Sequence, residues 1–508
     1  MNRRQFLSAG AGAAITPLLA KADQKPNIVV IMADDMGFSD IGCYGGEVAT
    51  PNLDALANNG VRFTQFYNTA RCCPTRSSLL TGLYSHQAGI GHMVNDRGKP
   101  GYRGFLNDRC ATLAEVMKPA GYSTLMAGKW HVGEKRPHWP TDRGFERYFG
   151  LISGGSNYWK LDEGRQMAMD DKPYTPQPGK FYMTDAFTEN AVRFMDEYGR
   201  KENPFLLYLA YTAPHWPLHA WPEDIAKYRG KYRKGWDRLR EERHERMKAM
   251  GVVDRKWPLT PRDAKAPAWD TVTDPDAWDL RMAVYAAQID RMDQGIGKVV
   301  AKLRELGQLD NTLLLFLADN GGCAEENIRG EQKNVPAGPV ESFTSYQTPW
   351  ANASNTPFRM YKHWVHEGGI SSPLIMHWPK QIRGGGKWVT RPSHLIDIMA
   401  TCVEVGGAKY PAGKIPMEGE SLVAAAKGRK QRQRPLFWEH EGNRAVREGD
   451  WKLVSRYPGD WELYNLREDR TEMTNLAGRE AERVARMKRL YEEWAKRCNV
   501  LPWEEARG

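Results

Sequence analysis

Cysteine is scarce, at seven residues in a chain of 508. So few thiols over such a length exclude a disulfide-stapled scaffold, and without a C-x-x-C pair the usual signature of structural zinc is missing. No long run of Lys and Arg occurs, which argues against a nucleic-acid partner, and no internal repeat or low-complexity tract is visible. Beyond the opening residues no stretch of about 18 uninterrupted apolar residues is found, so no membrane span is expected. What the chain does have is 41% hydrophobic residues and a formal net charge of +10. That is enough to bury a large core and gives a mild bias toward anionic partners.

Residues 1–22, M-N-R-R-Q-F-L-S-A-G-A-G-A-A-I-T-P-L-L-A-K-A, place paired arginines before a small-residue apolar stretch and an A-x-A-like ending. This layout is expected of a cleaved twin-arginine export signal, with the twin-arginine machinery as partner and a periplasmic or extracellular destination. No cysteine follows the apolar stretch, so a lipid anchor is not expected.

Five short apolar runs organise the body: Ile28 to Met32, Tyr122 to Ala127, Phe205 to Ala210, Leu313 to Leu317 and Pro373 to Met376. Each is apolar on both faces and bounded by turn or polar residues, as in strands of a mostly parallel sheet. Helical patterns lie between them: Asn52 to Asn58 with Thr50 as N-cap and Pro51 in the first turn, Thr184 to Tyr198, and the long amphipathic Trp278 to Leu306. The alternation predicts an α/β fold, a large mixed, mostly parallel sheet sandwiched by helices. The charge-dense stretch Lys227 to Lys265 is expected to hold an exposed helix laced with ion pairs. After about residue 430 the texture changes. Trp451 to Leu466 reads as a hairpin turning at Pro458 to Asp460, and Glu480 to Cys498 as a terminal helix, so residues 431–508 are expected to form a small α+β domain after a catalytic domain over 23–430.

In an open α/β sheet, ligands sit beyond the carboxyl ends of the strands. Those ends carry Asp34 and Asp35, Lys129 and His131, His215, and Asp319 with Asn320. Asp34, Asp35, Asp319 and Asn320 offer only oxygen donors, which suits calcium or magnesium rather than zinc. Between the first two runs lies R-C-C-P-T-R-S-S-L-L-T-G, residues 71–82. Pro74 suits the first turn of a helix, which puts Cys72 at its positive end beside Arg76, as an activated nucleophile, a metal ligand or a small buried thiol.

Cys72-x-Pro74-Thr75-Arg76 followed by L-L-T-G, with D-D after the first strand and D-N-G-G later, resembles the sulfatase family, of arylsulfatase type. The likeness extends through G-K-W-H (Gly128 to His131), A-P-H (Ala213 to His215), H-E-G-G (His366 to Gly369) and the D-W-K-L and W-E-L-Y-N-L segments. The resemblance implies an alkaline-phosphatase-superfamily fold and a formylglycine made from Cys72 by a formylglycine-generating system. It implies calcium ligation by Asp34, Asp35, Asp319 and Asn320, with modified Cys72 completing the site. It also implies that Arg76 stabilises the aldehyde hydrate, that Lys129 and His131 contact hydrate or sulfate, and that His215 assists the leaving oxygen. Lys362, five residues before Glu367, matches a sulfate-binding lysine, although M-Y-K-H replaces the glycines usual around it.

A sulfate monoester is anionic and its sulfur is shielded, so hydrolysis needs charge neutralisation and an in-line nucleophile. A cation with Lys129, Lys362 and His131 would do the first, and a hydrate hydroxyl at residue 72, deprotonated by Asp319, the second. The expected partner is a sulfated small molecule or saccharide. Two rival readings use parts of the same pattern: a phosphate- or phosphonate-ester hydrolase of the same superfamily, and a non-catalytic binder of sulfated glycans. His219, His363 and His366 are expected to support rather than catalyse, and Trp130, Trp216 and Trp364 to pack.

Overall fold

The computed structural model describes residues 24–508 except 327, 329, 331, 333, 431 and 432. The leader expected at 1–22 lies outside the described residues. Among them, eleven strands form one sheet: β1 (Asn27–Ala33), β2 (Val61–Tyr67), β3 (Ser123–Gly128), β4 (Arg147–Leu151), β5 (Met167–Met169), β6 (Lys172–Pro173), β7 (Phe205–Ala210), β8 (Thr312–Ala318), β9 (Ser371–His377), β10 (Lys387–Val389) and β11 (Ser393–His394). The order is β10-β2-β9-β8-β1-β7-β3-β4-β5-β6, with β11 also beside β2. Strands β8, β1, β7, β3 and β4 run parallel, and β9 is antiparallel to both β8 and β2.

Alternation along β1 builds two cores. Val29, Ile31 and Ala33 pack on the side of helices Met183–Tyr198 and Pro275–Glu305, while Ile28, Val30 and Met32 pack on the side of helices Cys72–Thr81 and Asp397–Gly406. The 31-residue Pro275–Glu305 helix begins on Asp274, whose side chain accepts from Ala277 N, and carries Lys302 and Arg304 in its last turn. Both ends therefore satisfy the helix termini and complement the dipole. Gly82 closes the Cys72–Thr81 helix at φ +70, which is why glycine follows L-L-T.

Pro373 stands inside a central strand and lacks the N–H that the ladder needs. The Ser372 hydroxyl replaces it in part, donating to Ala318 O at 3.0 Å just before the chain leaves β8 for Asp319.

The charged stretch differs from its expectation. Helix Gly235–Met250 is not simply solvated: Trp236, Leu239, Arg240, Arg243, His244 and Met247 are buried. Arg243 is fully buried against Asp40 (2.7 Å) and Glu47 (2.8 Å), pairs too distant in sequence for a local pattern to show.

Strands β12 (Leu436–His440), β13 (Asn443–Glu448), β14 (Trp451–Ser455) and β15 (Glu462–Asn465) form a separate antiparallel sheet, with the expected hairpin between the last two. One face packs on helix Ala481–Cys498 through Val446, Leu453, Met487 and Trp494; the other meets Tyr67, Val365 and Ile370 of the larger body. At that junction Lys452 bridges Glu367 (3.0 Å) and Glu472 (2.8 Å), and Arg470 binds the other Glu367 oxygen at 2.8 Å, all fully buried or nearly so. Burial works to raise the Glu367 carboxyl, but Lys452 and Arg470 outweigh it and bring the group down to about 2.

All seven cysteines are buried and free. Among the described residues no helix is long and apolar enough to cross a membrane. Replacing Lys452 by Met takes the ammonium from buried Glu472 and leaves Glu367 with Arg470 alone, so Lys452→Met is expected to lower unfolding free energy by roughly 3–5 kcal/mol in a denaturant titration. Because the Glu367 value is depressed, its stabilising contribution is present above about pH 4.5 and is lost as pH falls toward 2.

Candidate active site

The strand ends converge as the sequence predicts. Asp34 and Asp35 leave β1, Asp319 and Asn320 leave β8, Lys129 and His131 leave β3, and His215 follows β7 by five residues. Asp319 N donates to Ala33 O at 3.1 Å and Lys129 N to Ala210 O at 2.8 Å, so the parallel ladder carries on into the site. Asp35, Ala70 and His131 hold left-handed backbone at φ 64, 64 and 56. For residues other than glycine this is strain kept up by the surroundings, and it gathers at the turns that aim side chains inward.

Cys72 is the first residue of helix Cys72–Thr81, all of it buried, which places the thiol at the positive end of the helix dipole. The Thr75 hydroxyl donates to Asp319 O at 2.6 Å and pins the helix to the end of β8. Arg76 spans three elements: Nη2 lies 3.1 Å from Asp319 Oδ2 and 3.4 Å from Asp34 Oδ2, and Nη1 donates to Lys129 O at 3.0 Å. Lys129 Nζ meets Asp34 Oδ2 at 2.5 Å, and Lys362 Nζ meets Asp35 Oδ2 at 2.8 Å. Lys362 thus reaches the site despite its altered neighbours. His215 Nδ1 lies 2.5 Å from Trp216 O, which leaves Nε2 toward Asp35 Oδ2 at 3.4 Å.

Crowding sets the protonation of these groups. Burial works to raise Asp34, but Lys129, His215 and Arg76 hold its carboxyl well below the usual range. Burial, then the charge of Asp34, push Asp319 well up. Burial brings His131 down to about 4 and also lowers His215. Cys72 is pulled well down, first by a hydrogen bond from Cys73 and against burial, with Lys129 and His131 adding to the fall.

The oxygen donors fit a hard cation. Asn320 Nδ2 donates to Asp35 Oδ1 at 2.7 Å, yet Asn320 Oδ1 and Asp34 Oδ1 are fully buried with no partner. Two such orphaned oxygens beside three carboxylates are what calcium or magnesium would satisfy.

A cavity of about 210 Å³ opens above Cys72 and is bounded by Arg71, His131, Gly154, Arg165, His215, Trp216, Glu325 and Lys362, among others. Gly154 permits this shape, since a Cβ there would stand 2.3 Å from His131 Nε2. Trp216 lines the cavity rather than only packing, with its indole N–H donating to Glu325 at 2.8 Å, whereas Trp130 is fully buried as expected. Glu325 also binds Arg71 at 2.8 Å. Sequence reasoning missed this Arg71–Glu325–Trp216 bridge, which has no local signal beyond Arg71 standing next to Cys72. His219 is a buried support, its Nε2 at 2.7 Å from Ser342 O, and His366 is also fully buried.

Comparisons with known proteins agree with this arrangement. The profile of the family described as Sulfatase matches residues 26–408, and that of the N-sulphoglucosamine sulphohydrolase C-terminal region matches 358–497. The chain is 36% identical over 505 residues to an uncharacterized sulfatase of Schizosaccharomyces pombe, covering 89% of this chain and 90% of that one. It is 35% identical over 466 residues to the arylsulfatase of Klebsiella aerogenes, covering 85% and 99%. The crystal structure of Ps i-CgsB in complex with k-i-k-neocarrahexaose superposes with a TM-score of 0.71 at 27% identity, covering 93% of each chain. With a buried Cys-x-Pro-Thr-Arg helix set over clustered carboxylates, and relatives matched across most of their length, the chain belongs to the sulfatase family of sulfuric ester hydrolases.

Proposed function

We propose that this enzyme cleaves sulfate esters of aryl or carbohydrate alcohols through a formylglycine hydrate at position 72, above a calcium ion held by Asp34, Asp35, Asp319 and Asn320. The observation that carries this reading is the seat of residue 72: a helix N-terminus at the floor of an open cavity, beside Lys129, His131 and the carboxylate cluster. The Klebsiella arylsulfatase supports an aryl ester as test substrate, and the saccharide-bound relative supports a sulfated sugar as natural substrate. The leader reading adds twin-arginine export to the proposal, and folding before export would let Cys72 be modified inside the cell.

Bound calcium would supply fixed positive charge to the sulfate and to the hydroxyl of residue 72. The chain's own groups do the rest. Lys129 and Lys362 neutralise Asp34 and Asp35 and would turn part of that charge to the anionic ester. Arg76 fixes Asp34 and Asp319 together. Asp319, which burial and Asp34 push toward its protonated form, would be held ionised by a bound cation and so able to take the proton of the attacking hydroxyl. His215 has its Nδ1 proton committed to Trp216 O, so Nε2 carries a proton only in the imidazolium, the form that would donate to the departing oxygen. The second hydroxyl of the diol then allows the sulfated residue to release sulfate and return to aldehyde.

Three outcomes test the proposal. In active protein, the peptide Cys72 to Arg76 carries an aldehyde in place of the Cys72 thiol by mass spectrometry, and Cys72→Ala abolishes turnover; full activity with the thiol intact overturns the assignment. His215→Ala lowers kcat/KM on carbohydrate sulfates by about 10²- to 10⁴-fold and much less on nitrophenyl sulfate, whose leaving group needs no proton. Because burial lowers His215, the imidazolium is lost as pH rises through a value below 6.5. The wild-type kcat/KM on poor leaving groups should therefore fall over that range, and this limb should vanish in the variant. Removing calcium with a chelator should silence activity, and adding calcium back should restore it.

A further inference from the structure

A second set of metal-ligating side chains lies outside the catalytic cluster, where the β12–β13 turn meets the larger body. His363, His440 and Glu441 each offer one ligand atom, and these atoms all lie within 4.8 Å of one another. His363 Nδ1 is 3.2 Å from Glu441 Oε2, and His440 Nε2 is 3.7 Å from Glu441 Oε1, too far for a hydrogen bond. His440 is fully buried, and neither of its ring nitrogens has a partner. A buried imidazole left unsatisfied on both sides calls for an explanation, and an ion beside it supplies one.

The surroundings match those of a ligating carboxylate. Arg97 Nη2 stands 3.3 Å from His92 Nδ1 and can only donate, so His92 carries its proton on Nε2 and gives it to Glu441 Oε1 at 2.6 Å. His92 is thus a positioning residue that fixes the carboxylate, as outer groups do around bound metals. Asn443 Nδ2 stands 3.3 Å from His363 Nε2 and its Oδ1 accepts from Tyr457 N, so without an ion the His363 proton sits on Nδ1 facing Glu441, and ligation through Nδ1 would displace that proton. His363 and Glu441 both hold left-handed backbone, at φ 91 and 51.

We propose that His363, His440 and Glu441 bind a divalent transition-metal ion of the zinc class, separate from the hard cation at Asp34. Two imidazoles and one carboxylate suit a borderline ion and are a poor match for calcium. Three protein ligands leave one coordination position free. His363 and Glu441 are partly exposed, so that position is open to solvent or to a donor atom of a ligand. The ion would clip the C-terminal sheet, through His440 and Glu441, to the segment that carries Lys362. That segment is itself tied to the start of the nucleophile helix, because His363 N donates to Ala70 O at 2.7 Å.

The test uses untagged full-length protein, stripped with a chelator, resupplied with calcium and titrated with Co²⁺ as the spectroscopic probe. One equivalent should bind with visible d–d absorption lacking a thiolate charge-transfer band, and Zn²⁺ should displace it. Outer partners alone are worth about 10- to 100-fold in metal affinity, so His92→Phe should weaken binding by that amount and Glu441→Gln or His440→Ala by about 100-fold or more. His363→Asn, at a partly exposed position, gives the same readout if the His440 variant fails to fold. No cobalt binding, binding with a thiolate band from Cys72 and Cys73, or affinity unchanged in the Glu441 and His363 variants would overturn the site. None of these readouts depends on desulfation, so they stand apart from the outcome for residue 72.

Discussion

Three carboxylates, Asp34, Asp35 and Asp319, are buried in one pocket, and the rest of the site answers their mutual repulsion. Like charges about 4 Å apart repel by about 4 kcal/mol at the effective dielectric of a protein, more than a few ordinary hydrogen bonds return. Arg76, Lys129 and Lys362 each sit on one or two of these groups, and Asn320 donates to a fourth oxygen, Asp35 Oδ1. The balance is incomplete, since burial and Asp34 still drive Asp319 toward its protonated form. A divalent ion would complete it, and the positive charge it adds is what an anionic ester would meet on entering.

The fold supplies these charges from elements far apart in sequence. The acids come from the ends of two adjacent parallel strands, Lys129 from a third, Arg76 from a helix on one face, and Lys362 from a loop beneath the C-terminal sheet. None could be moved alone. Thr75 fixes the nucleophile helix to the Asp319 carbonyl, and Glu367 anchors the Lys362 segment through Lys452 and Arg470. The smaller sheet is therefore part of the catalytic framework, packed through Trp438 and Tyr464 against the body that holds the site.

Much of this was legible in the sequence, for a definite reason. Strands buried on both faces read as short apolar runs, and all five such runs are strands. The residues just after four of them come together at the candidate site. Strand β2, V-R-F-T-Q-F-Y, was hidden because Arg62 sits in it, buried beneath Trp388 at 3.9 Å with its guanidinium on Cys43 O and Gly386 O. Helix Gly235–Met250 read as solvated because its partners Asp40 and Glu47 lie about two hundred residues away. Thr50 precedes a helix as expected, but its hydroxyl accepts from Gly42 N and contacts Asp54 instead of capping. Arg71, Glu325 and Trp216 close the cavity through contacts that only the folded chain brings together.

The Glu367 cluster also has a consequence for the order of events on the ribosome. Glu367 is made 85 residues before Lys452 and 103 before Arg470. While the nascent chain lacks them, the acid next to the catalytic loop has no counter-charge and cannot be sequestered from water at reasonable cost. The large sheet can therefore assemble during translation, but the floor under Lys362 must wait for the last stretch of polypeptide. Closure of the ground beneath Lys362 thereby waits for residue 470, and a product ending before Lys452 would hold Glu367 without its counter-charges.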